Sequence, residues 1–372
     1  VHIEPFATEQ FFDAYEFSCP HALSASDCES MSIAELVAMA GLSMDAFGRV
    51  PLQYTEARGV PELRERVAAQ YSTVTPDEVV VLGAPEEGIY TAMRALLDPD
   101  DAVVVLTPCY DSLANVARHI GCRVEPHPLQ PVDGGWSLDL ERFEAQLRAV
   151  EPRLVVVNFP HNPTGFLPDA RQYAALVDMT EKVGAWLLSD EMYRGLELDP
   201  ASRLPSAADV SDRAVVLGGL SKTHGLPGLR AGWLVIREPT LREAVVNWKH
   251  YTTICASAPS QWLASAALRV SDELAARSVA TIRHNLGVAE AFFSRWGSRF
   301  VWRPPVAGSV ALVQTRHADA AEYCGALARR AGIVLLPGSC VGAPPQFVRF
   351  GLGRRAFPES LAAYDADLAA GS

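Results

Sequence analysis

An α/β fold built on a mostly parallel sheet with helices on both faces is what this sequence predicts, on two observations. From about Val60 to Val235, apolar runs of strand length alternate with amphipathic stretches of helical period. The runs are near-continuously apolar, as strands buried on both faces must be.

In chain order, residues 61–71 read as helix, 78–82 as strand, 86–97 as helix, 102–106 as strand, 110–120 as helix and 123–126 as strand. Residues 138–150 and 169–183 follow as helices, with strands at 154–158, 185–188, 213–217 and 232–236. Three helical runs come next, at 239–250, 260–270 and 272–296. A smaller α+β unit closes the chain, with strands at 300–302, 310–314, 333–336 and 347–351 and helices at 318–331 and 358–370. The first forty-odd residues are expected to join it. The expected division is 49–285 for the large domain, and 1–48 with 286–372 for the small one.

With 372 residues, 49% hydrophobic and 20% charged, the chain is long enough to bury one large core and a smaller one. A net charge of -12 without a basic run argues against nucleic acid or an anionic membrane as the main partner. The longest apolar stretches are strand-length and no charged-then-apolar leader opens the sequence, so a cytoplasmic location is expected. The seven cysteines are odd in number and form no CxxC or Cys/His cluster, which suggests reduced thiols and neither a disulfide framework nor a metal site.

Only three lysines occur, and Lys222 lies in Ser221-Lys222-Thr223-His224-Gly225-Leu226-Pro227-Gly228-Leu229-Arg230, between apolar runs at 215–217 and 233–236. On a loop at a strand end, desolvation and nearby cations lower an amine's pKa enough for imine formation. Lys182 and Lys249 each close a helical stretch and read as solvated. Arg349, in Phe347-Val348-Arg349-Phe350, is a cation flanked by apolar residues on a strand and calls for a partner, either a ligand carboxylate or a structural ion pair. Arg354 and Arg355, in a polar turn, read as solvated.

An ordered set of motifs now lines up: Tyr54-x4-Gly59, Gly83-Ala84-Pro85-Glu86-Glu87-Gly88, Pro108-Cys109-Tyr110, Asn158-Phe159-Pro160-His161-Asn162-Pro163-Thr164-Gly165, Asp190-Glu191-Met192-Tyr193, the Lys222 segment, Pro337-Gly338-Ser339 and Arg349. Together they resemble the class I/II aminotransferase family of pyridoxal-phosphate enzymes, fold type I, over nearly the whole chain. The resemblance implies pyridoxal 5'-phosphate as cofactor. It also implies an internal aldimine at Lys222, whose freed amine moves the α-proton of the substrate, and a carboxylate at Asp190 that holds the proton on the ring nitrogen. Asn162 and Tyr193 match positions that hydrogen-bond the ring phenolate, and Tyr110 matches the aromatic stacked on the ring. The phosphate would be held by Arg230, Ser221 and the helix opening at Ala84, Glu86 and Glu87. Tyr54 matches a residue that reaches the neighbouring subunit's phosphate, so a homodimer is expected. Arg349 matches the arginine that grips the substrate α-carboxylate. Glu86 and Glu87 also read as favourable first-turn acids, Asn162 as a turn residue and Tyr110 as a core anchor. Two departures stand out: Pro85 has no N–H to donate, and Gly219 stands where the family carries a serine or threonine hydroxyl.

Residues 24–30 lie where the family closes a loop over the substrate, making Ser26 and Asp27, with Asn162, the candidate substrate contacts. This acidic loop suits a polar or cationic side chain; alternatively, Asp27 and Glu29 cap the following helix. The expected activity is that of an aminotransferase acting on an L-amino acid, in specialised metabolism. The alternative is a β-eliminating carbon–sulfur lyase or a decarboxylating or cyclising enzyme. Residues 159–165 and 221–230 are similar to a family member that cyclises an arginine derivative, whereas 190–193 follows the ordinary aminotransferase pattern.

Overall fold

The computed structural model describes residues 2–371. Its larger sheet contains β1 (Val79–Leu82), β2 (Ala102–Thr107), β3 (Arg123–Pro128), β4 (Leu154–Asn158), β5 (Trp186–Asp190), β6 (Ala214–Gly219) and β7 (Gly232–Ile236), in the spatial order β1-β7-β6-β5-β4-β2-β3. Only β7 runs against its neighbours. Each of these strands was expected from its apolar run, to within about two residues at its ends.

The strands are apolar throughout because both faces are covered. Val80, Val105, Val156, Leu188 and Leu217 point to one core with helices Pro85–Leu96, Ser112–Ile120 and Pro239–His250. Val81, Val104, Val155, Leu187 and Val216 point to the other, with helices Pro61–Ala68, Leu140–Val150, Ala170–Lys182 and Ala258–Arg269. Each such valine or leucine, fully buried, contributes about 1.5–3 kcal/mol. Helix starts are fixed locally: the Asp139 side chain accepts the Arg142 N–H, and Asp169 with Gln172 forms a reciprocal capping box.

A 25-residue helix, Ser271–Arg295, leads to the smaller sheet of β8 (Phe300–Val301), β9 (Val310–Thr315), β10 (Leu336–Pro337) and β11 (Phe347–Gly351), ordered β8-β9-β11-β10. The single strand expected at 333–336 is split in two. Ile333–Val334 pairs in parallel with His21–Ala22, whereas Leu336 and Pro337 pair with β11, so the chain changes partner at Leu335. A short hairpin, Gln130–Val132 with Gly135–Ser137 around Asp133-Gly134, was not anticipated, although Asp-Gly is a hairpin-turn signal.

The N-terminal segment serves both units. His21–Ala22 joins the small one, but helix Ile33–Met39 packs on Ala258–Arg269, and Leu36 and Val37 enter the core under the large sheet. The expected boundary at residue 48 had put that helix with the small unit; its apolar face is buried against the other. Ser32 caps it in a box with Glu35, leaving Asp27 and Glu29 free for other work. Among the described residues, no helix is long and apolar enough to cross a membrane.

Candidate active site

The carboxyl ends of β2, β4, β5 and β6 face one cavity of about 500 Å³, as expected for ligand sites in sheets of this kind. Lys222, on the loop after β6, enters it and donates from Nζ to Ser26 Oγ at 2.8 Å. Burial pulls the lysine pKa below its ordinary value; Asp27 opposes the shift and Arg349 adds to it.

Asp190 ends β5, directly opposite Asn158 at the end of β4. It is 6% exposed, and its Oδ1 accepts the Met192 N–H at 3.0 Å. Burial raises its pKa to about 6, against the lowering effects of that amide and of Lys222. Three residues on, Tyr193 is buried, and its Oη has no hydrogen-bond partner among the described residues. Ser221 Oγ is orphaned in the same way, and both residues line the cavity.

Arg349, on β11 of the small sheet, is 1% exposed. Its Nη1 donates to Asn162 Oδ1 at 3.2 Å and its Nη2 to the Ser24 carbonyl at 2.9 Å, while Nε has no partner among the described residues. Both acceptors are neutral, so these contacts leave the guanidinium charge uncompensated. Asn162 is anchored in turn by its own N–H, which donates to Asn158 Oδ1 at 2.7 Å.

Helix Pro85–Leu96 puts Pro85, Glu86 and Ile89 on the cavity wall; its N-cap, Ala84, stands just outside the lining. Neither the Ala84 nor the Glu86 N–H has a hydrogen-bond acceptor among the described residues. Glu86 lines the cavity, with burial raising its pKa to about 7 and the nearby Arg230 charge opposing the shift. Glu87 does not belong with it. Its N–H donates to the Ala84 carbonyl at 3.1 Å and its Oε2 accepts the Gly83 N–H at 2.7 Å, both outside the cavity. Arg230 and Tyr110 line the cavity as expected, and the Tyr110 hydroxyl donates to Glu9 Oε1 at 2.9 Å.

Other expectations are corrected. Asp27 lines no part of the cavity and caps no helix: its two oxygens accept from Arg354 Nε and Nη2, each at 3.1 Å. Arg354 is therefore paired rather than solvated, and the Arg355 N–H donates to Glu29 Oε2 at 2.9 Å. Lys249 is wholly buried, with Nζ 2.6 Å from Thr253 Oγ1 and 3.5 Å from Glu87 Oε2. Tyr54, expected to serve the neighbouring subunit's site, stands 81% exposed and outside the cavity of its own chain, in keeping with that expectation's geometry. Among the cavity residues not anticipated are Ile89, Leu217, and Phe6 and Glu9, the last two brought against Tyr110 by the segment of helix Ala7–Tyr15. The apolar spacing of Phe11, Phe12 and Tyr15 was the available signal for that helix.

A family model described as aminotransferase class I and II matches residues 34–356. The chain belongs to that family. Over 370 residues this aminotransferase-family protein is 30% identical to capreomycidine synthase of Streptomyces vinaceus, with 98% of this chain and 93% of that protein covered. A PLP-dependent aminotransferase from Streptococcus suis 89-1591 superposes with a TM-score of 0.90 at 25% identity, covering 98% and 96% of the two chains. The PLP-dependent cyclase OrfR superposes at 0.88 with 29% identity, covering 98% and 97%. The protein is thus a pyridoxal-phosphate-dependent enzyme of fold type I. Its site fits the group. Orphaned donors on Tyr193 and Ser221, the open amide of Glu86 and a buried carboxylate at Asp190 belong to residues that line the cavity containing the lysine.

Proposed function

We propose that this enzyme transaminates an L-amino acid, with Lys222 as the group that holds and moves the proton at the substrate's α-carbon. The observation that carries the proposal is Arg349: a buried guanidinium hydrogen-bonded only to neutral acceptors, and tied through Ser24 to the same short segment whose Ser26 accepts from Lys222. An α-carboxylate is the ligand that would complete such an arginine, and the bond would fix the α-carbon relative to the amine.

Bound pyridoxal phosphate supplies an electron sink at the α-carbon. Around it, the Asp190 carboxylate would face the ring nitrogen and keep its proton in place. Tyr193, kept protonated by burial, and the Asn162 amide would donate to the ring oxygen. Arg230, Ser221 and the amides of Ala84 and Glu86 would hold the phosphate, with Tyr110 against the ring. The lowered pKa of Lys222 favours a neutral amine able to accept a proton. Ser26 orients that amine by its 2.8 Å bond.

Exposure of Tyr54 and Leu52, at 81% and 88%, supports a homodimer in which Tyr54 reaches the partner's phosphate. The odd count of seven cysteines, with no CxxC spacing, is what supports a reducing, cytoplasmic setting. A second reading, elimination or cyclisation in specialised metabolism, is favoured by the near full-length likeness to capreomycidine synthase. The two are separated by incubating purified holoenzyme with a panel of L-amino acids, including basic ones and S-substituted cysteines, without an acceptor. One equivalent of keto acid per cofactor, with conversion to the amine form, supports transamination. Many equivalents of product overturn it in favour of elimination, decarboxylation or cyclisation.

A further inference from the structure

The buried pair Lys249–Glu87 lies outside the cavity, yet it grips the backbone that opens onto it. Lys249 is 0% exposed and ends helix Pro239–His250; the Glu87 side chain is 6% exposed. Isolated, either charge would cost several kcal/mol to bury. Their separation is 3.5 Å, and Thr253 Oγ1 bridges them, accepting from Lys249 Nζ at 2.6 Å and donating to Glu87 Oε1 at 2.7 Å. Thr252 donates to the same carboxylate oxygen. Glu87 Oε2 then takes the Gly83 N–H at 2.7 Å, one residue before the open Ala84 amide. The approach is close enough that a Cβ on Gly83 would meet Thr253 Cγ2 at 2.9 Å.

We propose that Lys249 and Glu87, through Thr253, are positioning residues for the phosphate cradle. They fix Gly83, and with it the opening of helix Pro85–Leu96 whose Glu86 lines the cavity, and Lys249 cancels a carboxylate that would otherwise repel a phosphate dianion. Glu87 is needed to hold the loop, and its charge is tolerable there only while Lys249 offsets it. This rests on the phosphate placement proposed above.

The test is titration of apoenzyme with pyridoxal 5'-phosphate, followed by the cofactor's absorption, alongside the thermal midpoint of each apoenzyme. Lys249→Met should weaken binding at least about tenfold, the equivalent of about 1.4 kcal/mol. Adding Glu87→Gln to Lys249→Met should restore most of the affinity, because the uncompensated charge is gone. Unchanged affinity in Lys249→Met, or a loss that Glu87→Gln does not relieve, overturns the proposal. Should Lys249→Met fail to fold, Thr253→Val removes the bridging hydroxyl and leaves both charges; binding about threefold weaker or more supports the clamp, and wild-type affinity overturns it. Arg230→Ala separates the two levels. If it leaves affinity unchanged, the phosphate placement itself is wrong; if it weakens binding while Lys249→Met does not, only the clamp falls.

Discussion

A Cβ placed on Gly219 would lie 3.0 Å from Pro85 Cγ and 2.9 Å from Met192 Sδ. The two departures from the family pattern are thus one packing arrangement. Pro85 gives up an amide donor and its ring fills the space beside Gly219 where the family's hydroxyl side chain would start. On the proposed placement, phosphate anchoring would be left to Arg230, Ser221 and the remaining amides.

Gly219→Ser should accordingly destabilise the apoenzyme by about 1–3 kcal/mol through overpacking. Combined with Pro85→Ala, which removes the ring and returns an N–H to the helix opening, it should recover stability and bind pyridoxal phosphate more tightly than Gly219→Ser alone. Urea unfolding and cofactor titration of the three variants check this. Additive losses would mean that the two positions are independent.

Replacing Lys222 by alanine should lower turnover by at least about 10²–10⁴-fold, the span usual for a lost acid–base group. The far-UV circular dichroism should remain that of the wild type, since only the contact with Ser26 is lost. Normal turnover would reassign the chemistry to another group.

Arg349→Ala should reduce kcat/KM by roughly 2–5 kcal/mol if the arginine forms a buried charge pair with the substrate carboxylate. The matching amine, which lacks that carboxylate, should lose far less. Equal losses with both substrates would mark Arg349 as a structural link between Asn162 and Ser24.

The Asp190 carboxyl rises from 3.8 to about 6 on folding, so the folded apoenzyme holds this proton more firmly than the unfolded chain does. Its stabilising contribution is complete below about pH 4 and is lost as pH climbs through 6. Glu86 and Glu191, both raised to about 7 by burial, act in the same direction. Between pH 5 and pH 7.5, apoenzyme stability should therefore fall, and Asp190→Asn should lessen that fall by on the order of 1–2 kcal/mol. Denaturant titrations at the two pH values decide it; identical slopes would place the Asp190 carboxyl near its ordinary range.

The sheet and the wall of the site at strand ends were legible because they are written locally. An apolar run such as residues 154–158, followed by Asn158 to Gly165, reveals both a buried strand and the turn after it. Lys249 was misread for the complementary reason. Lys182 and Lys249 occupy the same local position, the last turn of a helix, yet Lys182 is solvated beside Asp178 and Lys249 is buried on Glu87, 162 positions earlier in sequence. Arg354 and Asp27 were likewise misjudged singly because their pairing spans 327 positions. Glu9 escaped because the contact that makes it part of the site, from Tyr110, depends on the docking of a helix 101 residues away.

Ser24 and Ser26 join the two halves of the site, one accepting from Arg349 at a sequence separation of 325, the other from Lys222 at 196. During synthesis this segment leaves the ribosome well before its arginine partner, 325 positions later. The large sheet, whose last strand ends at Ile236, can be complete while Arg349 has yet to be made. Loop closure over such distances comes late in folding. The link between the two sheets would therefore form after the large sheet, and a chain cut short before residue 349 would keep Lys222 without the buried guanidinium that ties Asn162 to Ser24.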